Sequence, residues 1–131
     1  MADRLNEHIE SLRGELIRNP AIASFRFLQE FISEGIGFYR IRATLINGDL
    51  LQLVERFEYD GRGLRFGKYS FHWQSASDAL ICRWDNAPHH PEISTFPHHM
   101  HELDETNVLP HEPADVFKVL RIIEQRFGEF Q

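Results

Sequence analysis

With 131 residues, 42% of them apolar and eleven of them Phe, the chain is long enough for one domain with its own core. A single cysteine, Cys82, excludes an intrachain disulfide, and no apolar run approaches the ~20 residues of a membrane span. The formal net charge of −6 argues against a general nucleic-acid binder, and the charged stretch after Met1 is no signal region, so a soluble, cytoplasmic protein is expected.

Residues 3 to 18 read as an amphipathic helix: Leu5, Ile9, Leu12 and Leu16 recur at helical spacing with Ile17 beside them, and Asn19-Pro20 stops it. The aromatic-rich run Ala21 to Ile32 suits a strand or a helix. Ile36 to Ile46 alternates, and Asn47-Gly48 is a hairpin turn because both residues tolerate positive φ. Leu50 to Tyr59 returns, Asp60-Gly61-Arg62-Gly63 turns again, and Leu64 to Gln74 and Ala79 to Asp85 follow as strands. The alternation puts Tyr39, Ile41, Leu53, Phe57, Tyr69, Phe71, Trp73, Leu80, Cys82 and Trp84 on a dry face. Arg40, Arg42, Arg56, Lys68, Ser70, His72 and Arg83 then share the other. Residues 40 to 83 are also the one locally basic part of the chain, with seven Lys and Arg against five Asp and Glu.

Residues 86 to 112 show neither period and hold four of the six prolines, which predicts a stiff loop, including a charged surface run from Glu102 to Glu105. Pro113 suits a first helical position, and Val116, Val119, Leu120, Ile123 and Phe127 form the stripe of a closing helix. The expectation is one α+β domain over residues 1–131: an antiparallel β-meander of four to five strands with N-terminal and C-terminal helices packed on one face.

Five of the eight histidines fall at positions 89, 90, 98, 99 and 101, inside that loop. Histidine changes charge near neutral pH and is the commonest metal ligand, so chemistry is sought here. Metal-free phosphodiester cleavage needs a base, an acid and a cation for the crowded phosphate. His89, His90, His98 and His99 are the candidate acids and bases, Arg83 the clamp, and Asp85 a carboxylate to orient an imidazole. Trp84 or Phe96 would stack on a base, with His72 nearby, and Arg40, Arg42, Arg56 and Lys68 would form a phosphate track. A metal site is the alternative, with zinc or nickel at His98, His99 and His101, although no His-Glu-x-x-His pattern supports it; the leading reading has no metal cofactor. Cys82 lies in the apolar phase of its strand and reads as core.

The runs Tyr69-Ser70-Phe71-His72-Trp73-Gln74, Arg83-Trp84-Asp85-Asn86-Ala87-Pro88-His89-His90-Pro91 and Thr95-Phe96-Pro97-His98-His99-Met100-His101 resemble the TumE family of small bacterial toxins, over about residues 20 to 127. The resemblance implies the toxin of a toxin–antitoxin pair, with a cognate antitoxin protein as partner and RNA as target. A homodimer is compatible with it, and no membrane partner is expected. The leading expectation is thus an RNA-directed toxin cleaving by His/Arg acid–base chemistry. The alternatives are a non-catalytic module binding RNA or protein, and a small His-rich metal-binding protein.

Overall fold

The first helix, α1 (Ala2–Arg18), places Leu5, Ile9, Leu12 and Leu16 on one stripe, all buried, while Ile17 points outward and is exposed. Each such burial contributes about 1.5–3 kcal/mol. Asn19 ends the helix and anchors it. Its N–H donates to the Glu15 carbonyl, its side-chain oxygen accepts from the Ala21 N–H, and its amide donates to the Leu120 carbonyl at 3.1 Å. The structure, a computed structural model, describes residues 2–128; Met1 and residues 129–131 of the expected 1–131 domain lie outside it.

Seven strands follow: β1 (Ile22–Ser33), β2 (Ile36–Leu45), β3 (Leu50–Tyr59), β4 (Leu64–Gln74), β5 (Leu80–Asp85), β6 (His99–Glu102) and β7 (Asp104–Pro110). They pair antiparallel in chain order as one seven-stranded meander, and α2 (Val116–Gly128) closes the chain. The α+β class, the meander and the two helices are as expected, but there are more strands. The Ala21 to Ile32 run is β1, an edge strand. The segment 86 to 112 is not one loop: residues 99 to 110 form the β6–β7 hairpin, which reverses at Leu103 with φ of 61°. The charged run from Glu102 to Glu105 lies in that hairpin. Pro113 precedes α2 rather than opening it; Asp115 caps the helix, its Oδ1 accepting from the Phe117 N–H at 2.7 Å.

Both helices lie on one sheet face. Tyr39, Ile41, Leu53, Phe57, Tyr69, Phe71, Trp73, Cys82 and Trp84 are buried there with the helix stripes. A register irregularity between Trp73 and Gln74 disturbs the alternation in β5, so Ile81, not Leu80, packs against this core. Carboxylates border it: Asp49 accepts from Trp73 Nε1 at 2.9 Å. Glu55 is 2% exposed and accepts from His8 Nε2 at 3.0 Å and from the Tyr39 hydroxyl at 2.8 Å, the partners a buried charge requires.

Candidate functional site

Two cross-strand rows build the site on the face without helices. Directly opposed residues share a face, so Arg42, Gln52, His72, Arg83 and His101 form one row across β2 to β6. Arg40, Val54, Ser70, Asp85 and His99 form the next. The Asn86–His98 connection folds over the β5–β6 end and brings His89 and His90 to the same place. Asn86 pins its start, accepting from the Tyr69 N–H at 3.0 Å and donating to the Gly67 carbonyl at 3.0 Å. Thr95 pins its end, donating to the His98 carbonyl and accepting from the His111 N–H. The result is an open pocket of about 380 Å³ walled by His72, Arg83, Asp85, His90, His99 and His101, with His89 at its rim. A second hollow of about 420 Å³, with Arg40, Arg56 and Gln52, shares Lys68, Ser70 and His72 with it. The two adjoin through these shared residues.

Three imidazoles converge in the pocket. One ring nitrogen of each of His90, His99 and His101 lies within 4.8 Å of the other two. The rings are oriented from behind: His99 Nδ1 donates to the Pro97 carbonyl at 2.8 Å and His101 Nδ1 to the Glu105 carbonyl at 2.9 Å. Asp85 sits beside them, its Oδ1 3.0 Å from His99 Nε2 and its Oδ2 3.7 Å from His101 Nε2. Arg83 is firmly held. Its Nε donates to Asp85 at 3.0 Å, and its two terminal nitrogens grip the Glu105 carboxylate at 3.0 and 2.9 Å. A phosphate arriving at Arg83 therefore competes with Glu105, whose side chain is 55% exposed. Burial, then the Arg83 charge, lowers the affinity of both His72 and His101 for a proton, against the pull of nearby carboxylate and carbonyl oxygens.

The sequence-predicted residues divide accordingly. Arg83, Asp85, His89, His90, His99, His72 and Lys68 come together, and Arg40 and Arg56 line the adjoining hollow. Arg42 lies on the same face, in register with Gln52. Three residues do not join them. His98 precedes β6 and turns to the helix side, where its Nδ1 meets the Tyr69 hydroxyl at 2.9 Å in a cavity with His8, Glu55 and Asp115; burial lowers its proton affinity too. Trp84 is 1% exposed on the dry face, opposite Phe71 and Met100, and cannot stack on a ligand. Phe96 is exposed but does not line the pocket. His98 does not join the cluster, and His101, named in the sequence only as a candidate metal ligand, does. The signal for it was the spacing of His99 and His101, which puts both on one face of a strand. Ser70 was placed on this face by its strand's alternation but given no role, and Glu105 was read only as part of a charged surface run.

The arrangement is a helix-backed antiparallel sheet whose bare face carries a row of cations ending in an imidazole-walled pocket, a site suited to an anionic ligand. The sequence model of the family described as Toxin TumE matches residues 13–127, and the chain belongs to that family. It is thus the toxin component of a toxin–antitoxin system, with a cognate antitoxin as partner. No curated protein and no solved structure matches the chain. No helix among the described residues is long and apolar enough to cross a membrane.

Proposed function

We propose that this toxin acts on RNA, with the sugar–phosphate backbone lying along the bare sheet face and a phosphodiester reacting at the imidazole pocket. The observation that supports this reading is the pair of adjoining hollows: Arg40 and Arg56 line one, which shares Lys68 and His72 with the other, where Arg83 and the three clustered histidines stand. Phosphates follow cations, and single-stranded RNA can lie in an open groove of this kind.

His72 is the base for the 2′-hydroxyl. It lies directly opposite Arg83, and its lowered proton affinity keeps it neutral at pH 7. Arg83 stabilises the charge that builds on the phosphate, and water in this open pocket supplies the proton that the leaving 5′-oxygen takes. Asp85 and Glu105 hold Arg83 in position until a phosphate displaces Glu105.

Induced expression without antitoxin tests this. Wild type should arrest growth and fragment cellular RNA, while His72→Ala and Arg83→Ala variants of equal abundance should do neither. Intact RNA in arrested cells would end the reading. Loss of toxicity in His98→Ala with full toxicity in His72→Ala would move the site to the helix-side cavity.

A further inference from the structure

The geometry points to a divalent-cation site at His90, His99 and His101, for a metal of the zinc and nickel class that favours imidazole nitrogen. Three features of the cluster carry this. The first is convergence, with one nitrogen of each ring within 4.8 Å of the others although His90 lies on the connection and the other two on β6.

The second is orientation. His99 and His101 each commit Nδ1–H to a backbone carbonyl, which orients the ring and leaves Nε2 as the atom it can offer a metal. That is the support a metal-ligating histidine has behind it. Both residues are buried, which restricts the rings to these orientations.

The third is a carboxylate beside the rings. Asp85 Oδ1 lies 3.0 Å from His99 Nε2 and Oδ2 lies 3.7 Å from His101 Nε2, so a cation held by the three rings has a further oxygen partner at hand. Three protein ligands leave coordination positions open, and these face the pocket. The third ligand is His90, not the His98 suggested by spacing, because His98 is on the other side of the sheet with Tyr69.

The site stands whether or not RNA is the substrate, and it is tested by metal binding alone. Protein stripped with a chelator and dialysed is titrated with Zn²⁺ by calorimetry and with Co²⁺ by visible absorption. One equivalent should bind, with Co²⁺ giving the ligand-field bands of a nitrogen-rich site. His101→Ala and His90→Ala should each weaken binding at least ~100-fold, beyond the 10–100-fold that loss of a supporting contact costs. His90 is only half-buried and on a connection, so its variant should keep the wild-type circular dichroism. His98→Ala should bind as wild type. No saturable binding by folded wild type, or unchanged affinity in folded His90→Ala, would overturn the site. RNA cleavage by folded protein that binds neither Zn²⁺ nor Co²⁺ would overturn it and leave the RNA reading standing. Metal binding with inert RNA would do the reverse.

Discussion

Asp85 shows how closely this site is determined by single side chains. It is 6% exposed, and its two oxygens serve the Arg83 guanidinium, His99 and the Ala87 N–H that starts the connection. Beside it, the titration of the imidazoles makes stability depend on pH. Burial lowers the proton affinity of His72, so below its ordinary pKa of 6.5 the unfolded chain binds protons that the folded chain does not. Stability is therefore fully present above about pH 6.5 and falls as pH drops through it. Thermal unfolding between pH 7.5 and 5.5 should show the melting temperature falling toward acid, and His72→Gln should have a shallower slope. An equal slope in that variant would place the proton uptake elsewhere. Cys82 gives a simpler test. It is fully buried on the dry face, and burial pushes its thiol up to about 12. A thiol reagent at pH 8 should find no reactive cysteine in the native protein and one after denaturation. Prompt native labelling would contradict the burial of Cys82 in this core.

At the scale of elements, β2 and β3 depend on an unusually close approach. Gly37 lies opposite Phe57, and a Cβ there would come 2.4 Å from a carbon of the Phe57 ring, which also packs edge-on against His8. Gly37→Ala should therefore lower stability by about 1–3 kcal/mol, seen as a reduced denaturant midpoint. Gly63→Ala, with nothing within 4 Å of its added carbon, should leave the midpoint unchanged. The same elements show what was legible beforehand. β2 to β5 alternate between an apolar and a basic face, so their phase, and with it the bare face, could be read directly. β7 could not, because it is a largely exposed edge with no dry side to pattern. β6 was hidden differently: its alternation is His99 and His101 against Met100, and a buried histidine does not read as a core residue. That concealment also explains why His98 was grouped with His99. A one-residue step across the start of β6 sends neighbouring imidazoles to opposite sides of the sheet. Trp84 had already been assigned to the dry face by its own strand. Only its place in a histidine-rich run suggested a ligand.

For the molecule as a whole, charge is sorted rather than absent. The chain carries a net −6, yet Arg40, Arg42, Arg56 and Lys68 stand on the sheet face that no helix covers. A uniformly acidic surface would repel RNA; a cationic face on an acidic body would bind it in one orientation. If all four residues contact phosphates, the affinity for single-stranded RNA should fall with salt with a log–log slope near −3, since each contact contributes about −0.7. Arg56→Gln should make that slope shallower by about 0.7 and weaken binding to every sequence by a similar factor, because phosphate contacts position the strand without reading bases. Glu105→Gln should act in the opposite direction. It removes the carboxylate that grips both terminal nitrogens of Arg83 and leaves that guanidinium open to a phosphate. Filter binding of an unstructured RNA between 50 and 300 mM salt measures both variants. Tighter binding by Glu105→Gln with a steeper slope is the expected outcome. An unchanged slope in Arg56→Gln would mean that the cations of this face are solvated strand surface, and that the groove leads nothing to the imidazole pocket.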